Sequence, residues 1–131
     1  MDLSYAGPFV EHLGLRLTEV RADRVVATWT AGERHHQAYG IVHGGVHASV
    51  VETLGSVGSE VWADEHLAEG TKVVGVHNST DFFRAVSDGD LTSTGTPVHQ
   101  GRSQQLWVVE TRDSQDRLVA RGQLRVQNLS G

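Results

Sequence analysis

One stretch of the chain gathers the residue types that do chemistry: Gln37, then the triplet His43-Gly44-Gly45, then Glu52 and Ser56. From Gly44 onward the spacing of apolar residues is helical. Val46, Val50, Val57 and Val61 form one stripe, and Val51, Leu54, Gly58 and Trp62 form a second. Two stripes predict a helix wrapped by other structure rather than laid on a surface. Glu52 is the one carboxylate in the middle of that helix. One turn away stand Ala48, Ser49, Gly55 and Ser56, and two turns away Gly45 and Ser59, so it rises from a strip of small residues with room for a ligand. A buried, unpaired carboxylate is too costly to be filler. The expectation is a buried Glu52 that a partner side chain neutralises or a ligand uses. His43 and His47 stand at i,i+4, a metal-binding spacing, with His35 and His36 upstream. No third ligand is spaced to complete that set, and Glu52 is out of register for a His-Glu-x-x-His helix. No metal and no cofactor is therefore expected. The chain also lacks a Gly-x-Ser-x-Gly elbow and a Walker loop.

The elements that must position these residues follow from the rest of the chain. Its 131 residues make a single domain, 1–131, with 38% hydrophobic and 21% charged residues, an ordinary globular composition. A net charge of −5 argues against nucleic acid or an anionic membrane as partner. The absence of cysteine excludes disulfides, thiolate metal sites and a cysteine nucleophile. Met1 to Val10 lacks the pattern of a signal peptide, and no apolar run is long enough to span a bilayer, so a cytoplasmic location is expected.

In chain order, Met1 to Gly14 reads as a lead-in. Leu15 to Val20 alternates as a strand, Arg21-Ala22-Asp23 turns, and Arg24 to Thr30 is a β-branched strand. Ala31 to Gly40 is a polar loop into the helix, and Ala63 to Thr71 is a charged connector out of it. Four strands follow: Val73 to Phe83, Leu91 to Val98, Ser103 to Glu110 and Leu118 to Val126. Pro97 marks an edge, a bulge or a strand end. Two strands, one long helix and four strands joined by short turns predict an α+β domain, an antiparallel sheet curled around one central helix. That is the hotdog arrangement.

The spacing Gln-x5-His-Gly-Gly-x7-Glu-x3-Ser over Gln37 to Ser56 resembles the hotdog-fold acyl-CoA thioesterases. It is most similar to the 4-hydroxybenzoyl-CoA thioesterase (PaaI-like) branch with a helical glutamate. The likeness continues through Lys72 to Gly75, Phe83-Arg84-Ala85, Pro97 to Arg102 and Trp107 to Glu110. It implies hydrolysis of an acyl-CoA, of hydroxybenzoyl, hydroxynaphthoyl or phenylacetyl type. A first-turn N–H of a helix suits the negative charge that develops on the thioester carbonyl. The resemblance makes the Gly44 N–H that donor, with the Gln37 amide polarising or positioning the same carbonyl. Glu52 then serves as nucleophile, through a mixed anhydride, or as general base for water; the residues leave both open. Ser56 holds the carboxylate or the water, or simply packs. His43 orients Gln37 or lines the thioester pocket, or it caps the helix or packs. Gly45 lets substrate approach, Phe82 with Phe83, Tyr39 and Trp62 supplies an aromatic acyl site or core packing, and Arg84, Arg102 and Ser103 are expected phosphate or pantetheine contacts. The resemblance also implies homodimers that share each active site and pair into tetramers. The alternatives are a medium-chain acyl-CoA or acyl-carrier-protein proofreading thioesterase, a non-catalytic acyl-CoA-binding module and a metal-dependent hydrolase.

Overall fold

The computed structural model describes residues 6–130; the first five residues of the expected lead-in lie outside that range. The elements are α1 (Pro8–Leu13), β1 (Arg16–Arg21), β2 (Arg24–Ala31), α2 (Gly44–His66), β3 (Lys72–Phe82), β4 (Gly89–Gln100), β5 (Gln104–Asp113) and β6 (Leu118–Leu129). The six strands form one antiparallel sheet in the order β1-β2-β4-β5-β6-β3, so β1 and β3 are its edges. Strand alternation sets the inner face. Val25, Ala27, Trp29 and Ala31 of β2, Leu91, Ser93 and Gly95 of β4, and Gln105, Trp107 and Val109 of β5 all turn toward α2 and are buried. Against them α2 presents Val50, Val51, Leu54 and Val57, all buried, as the helical period requires. The expected hotdog architecture is present. Among the described residues no helix is long and apolar enough to cross a membrane.

Two local features differ from the sequence reading, and a third selects among its alternatives. The lead-in contains α1, started by Pro8 in its first turn and stopped by Gly14 in a left-handed conformation, with Leu13 buried beneath. The charged connector begins late, because α2 runs to His66. Its last turn is drawn down by Ala63, which is 1% exposed. Of the edge, bulge or strand end expected at Pro97, the structure has the bulge: the β4–β5 register shifts between Pro97 and His99, where proline has no N–H for the ladder.

The helix lies close to the sheet because glycines face large side chains. A β-carbon at Gly58 would come within 2.3 Å of the Trp107 ring, and one at Gly55 within 2.7 Å of Leu124. Trp107 cannot retreat. It is fully buried, and its indole N–H donates to Gln105 Oε1 at 3.0 Å. Replacing a helical glycine by alanine normally gains up to ~1 kcal/mol, whereas overpacking a tight core costs ~1–3 kcal/mol. Overpacking wins at this position. Gly58→Ala is expected to lower the unfolding free energy by ~1–2 kcal/mol and the melting temperature by several degrees in a denaturation scan; a variant at least as stable as wild type would refute this account of the helix–sheet spacing.

Candidate active site

The start of α2 is built on a tight turn. The Gln37 backbone N–H donates to Ile41 O (2.8 Å) and its carbonyl accepts from the Gly40 N–H (3.0 Å), with Gly40 at φ 76°. The Gln37 side-chain oxygen accepts from the Tyr39 N–H, so the NH2 end of the amide is left to donate. Entry to the helix is fixed by two backbone bonds, His43 N–H to His35 O and Val42 N–H to Val86 O, each 2.8 Å. His43 is the cap: its Nδ1 accepts from the Gly45 N–H at 2.7 Å, and the next amide, Val46 N–H, bonds to His43 O. The Gly44 N–H has no hydrogen-bond partner among the described residues. Gly45 makes room for its own cap, since a β-carbon there would lie 2.8 Å from His43 Nδ1. Beside this first turn is a cavity of about 290 Å³, lined by Gln37, Gly44, His47, Phe82, Phe83 and Arg84 among others.

Glu52 lines a different and larger cavity, about 670 Å³, with Ser49, Ser56, Asn78 and Thr80, roofed by Phe9 and Val10 of α1. The expectation of a buried Glu52 is overturned: its side chain is exposed. Gly45, Ser49, Glu52 and Ser56 form one stripe at i+3 and i+4 spacing, on a side of α2 that stays partly open to solvent above edge strand β3. Beneath the carboxylate lies Gly75, where a β-carbon would sit 4.0 Å from Glu52 Cδ. The β3–β6 register shifts there, between Gly75 and His77. Asn78 and Thr80 form the polar wall. Asn78 Nδ2 donates to Ala48 O at 2.8 Å, and Thr80 Oγ1 donates to Asn78 Oδ1 at 2.7 Å. The sequence reading passed over both, although polar residues at every second position of a strand facing the helix were the available signal.

Phe82 is the one side chain common to the two cavities. Its ring lies on Gly44, close enough that a β-carbon would come within 2.6 Å of two ring carbons. The space above Gly44 is therefore filled by Phe82 rather than left open. Gly44 and Glu52 are eight residues apart on one helix, a rise of ~12 Å. The remaining expected contacts divide. Arg84 joins the Gly44 cavity, but Arg102 and Ser103 lie in the β4–β5 turn, whose carbonyls at Gly101 and Arg102 accept from Asn128 Nδ2. Along β6, Ala120 is opposite Phe82 and Asn128 opposite Val73, which puts the two ends ~26 Å apart. One chain does not bring Arg84 and Arg102 together, because they follow opposite ends of the sheet. Trp62 stacks on His66 (4.9 Å between ring centroids), and Tyr39 is 89% exposed at the turn tip, so neither lines a cavity with Phe82.

The histidines are committed singly. His35 Nε2 bonds to Leu13 O (2.8 Å), its Nδ1 accepts from the Gly32 N–H (3.2 Å), and His36 Nε2 bonds to Ser87 O (2.6 Å). Among the described residues no three metal-ligating side chains converge. His47 is buried between Trp29 and Phe82, each at 6.0 Å between ring centroids. Burial first, and then nearby His35, lower its pKa from 6.5 to about 4.

A six-stranded antiparallel sheet curled around one long helix is the hotdog architecture. The chain belongs to the thioesterase superfamily, whose family model matches residues 39–120, and it is a thioester hydrolase of that family. It is 50% identical to AziG of S. sahachiroi, whose crystal structure superposes with a TM-score of 0.90 over 97% of this chain and 100% of that one. A Mycobacterium tuberculosis protein with the provisional name esterase Rv1847 is 44% identical over 97% of this chain and 90% of its own length. The proofreading thioesterase EntH of Cronobacter turicensis is 36% identical over 89% of this chain and 82% of its own.

The depressed pKa of His47 has a stability consequence. Between pH 6.5 and about 4 the unfolded chain carries a proton on His47 that the folded chain does not. Folding is therefore disfavoured as pH falls through that window, by up to about 3 kcal/mol at its lower end. Urea unfolding at pH 7 and pH 4.5 is expected to show His47→Leu losing less stability than wild type across the interval. Equal losses in the two proteins would show that His47 is not the titrating group.

Proposed function

We propose that the chain hydrolyses acyl-CoA thioesters, with aromatic acyl groups favoured, to the free acid and coenzyme A in a site shared by two copies. The observation that carries this reading is the separation of the two polar halves. The Gly44 N–H and Gln37 amide open on one cavity and Glu52 on another, ~12 Å further along the same helix. A carbonyl held at Gly44 is out of reach of Glu52 in the same chain. Strand β3 offers the remedy. It is a long sheet edge whose neighbourhood carries exposed Val74, Val76, Phe82, Phe83 and Leu129, a surface that a single chain leaves open to pairing. Antiparallel pairing of two β3 edges sets the Phe82 end of one copy, next to Gly44, beside the Gly75 end of the other, next to Glu52. The same pairing carries Arg102 and Ser103 of the second copy toward Arg84, where phosphate groups of coenzyme A would be met.

In this site the thioester oxygen accepts from the Gly44 N–H and the Gln37 amide. Glu52 of the second copy attacks the carbonyl carbon or takes a proton from the attacking water, with Ser56 beside it. The tetrahedral species collapses with departure of the coenzyme A thiolate, which is then protonated. On the nucleophilic route water next opens the mixed anhydride, regenerating Glu52. His43 acts through its cap, which occupies the Gly45 amide and leaves Gly44 to the substrate. Phe82 and Phe83 form the aromatic wall of the acyl side. By family resemblance these dimers pair into cytoplasmic tetramers. The 36% identity to a proofreading thioesterase favours one second reading, a proofreading thioesterase acting on medium-chain acyl-CoA or on acyl groups carried by a carrier protein.

Thiol release from a panel of acyl-CoA and acyl-carrier-protein thioesters tests both readings. Glu52→Ala is expected to lose ~10²-fold or more with its fold intact. Refolding an equal mixture of Glu52→Ala and Gln37→Ala chains is expected to restore about a quarter of wild-type activity, since half the dimers are mixed and each holds one intact site. A mixture no better than either variant alone would rule out the shared site.

A further inference from the structure

His47 has no part in the chemistry above, yet it belongs to the same cavity. It lies one turn after Gly44, and helical side chains lean back over the preceding turn, so its ring is carried toward Gly44. It is 4% exposed, and its Nδ1 is fully buried with no hydrogen-bond partner, the one such side-chain atom among the described residues. A buried polar atom left so destabilises the fold unless something else supplies the bond. Of its two aromatic neighbours, Trp29 is 3% exposed, but Phe82 is 57% exposed. Phe82 is thus the cover on the solvent side. The same ring lies on Gly44, so one side-chain rotation uncovers both.

We propose that the His47 Nδ1–H is a third hydrogen-bond donor to the substrate carbonyl, beside the Gly44 N–H and the Gln37 amide, exposed when Phe82 turns aside. The assignment rests on the thioesterase reading. A neutral imidazole suits the position: it donates without bringing a charge into an apolar wall, and the burial that depresses its pKa keeps it neutral at working pH. No bond to His47 forms or breaks. It keeps its proton and stabilises negative charge on the oxygen as the tetrahedral species forms. His43, the other histidine of the helix start, is excluded from this part by its exposure and its cap.

The test compares His47→Leu, which removes the donor, with His47→Asn, whose amide nitrogen can stand near the Nδ1 position. With folding verified, His47→Leu is expected to lower kcat ~10²-fold, with KM within about threefold of wild type, and His47→Asn to recover at least a tenth of wild-type kcat. Independently of turnover, the Nδ1 resonance of His47 in 15N-histidine-labelled wild type is expected to shift on adding an acyl-CoA ketone analogue, in which methylene replaces the thioester sulfur. A His47→Leu kcat within about threefold of wild type overturns the assignment. So do equal losses in both variants, which would mark a packing role, and a bound analogue that leaves the Nδ1 resonance unmoved. A wild type inert to every thioester whose Nδ1 nevertheless shifts with the analogue would sink the hydrolase reading and support this contact. A wild type that neither hydrolyses any thioester nor binds the analogue overturns both.

Discussion

The distance between α2 and the sheet is the constraint on which the rest depends. It is set where small residues meet large ones: Gly58 against Trp107, Gly55 against Leu124, and Gly122 of β6, where a β-carbon would come within 2.8 Å of Val51. Interiors packed to this density do not deform gradually, so the helix has one depth. That depth fixes both chemical positions at once. It sets Gly44 against the Phe82 ring at one end of β3, and Glu52 over Gly75 near the other. A bulkier residue along the buried face would lift the helix and displace both.

Polar groups within the core fix the helix in its remaining directions. Trp29 donates to Ser93, which shares a bond with Thr111, tying β2, β4 and β5 together. Gln105 accepts from Trp107 and donates both to Ser59 O on α2 and to Asn128 on β6, so sliding the helix along the sheet breaks a buried bond. These networks leave their members paired. His47 Nδ1 is the exception among the described residues, and its residue lines the same cavity as Gly44. Departures from local consistency are expected where a protein binds something, and this one coincides with a cavity.

Much of this architecture was legible in the sequence. The β-branched run from Arg24 to Thr30 and the helical spacing from Val50 to Gly58 are local signals, and both survive because one face of each element is buried. The order of the candidate residues from Gln37 to Ser56 was readable as well. What could not be read was the side of the helix that stays uncovered. Apolar residues at Val46, Val61 and Trp62 suggested two buried faces, but all three are only half buried, and Glu52 faces out. Periodicity reports which residues share a stripe, not what covers it. Nor could spacing show that Phe82, thirty-eight residues after Gly44, would fill the place the missing side chain leaves. Arg84 and Arg102 looked alike beside their strands, and only the register of β3 on β6 separates them.

A single helix that carries both halves of the proposed site imposes a condition on the edge strand. The eight-residue offset between Gly44 and Glu52 is fixed by helical rise, so a second copy restores their proximity only if β3 returns the same offset in its pairing. The bulge between Gly75 and His77 lies where that offset would be adjusted, since an extra residue bends a strand and increases its twist. It also lies directly beneath Glu52. Strand irregularity and helical spacing are then two parts of one geometric requirement. A deletion that straightened β3 would leave each chain's core intact while moving Glu52 away from the carbonyl in the shared site proposed above.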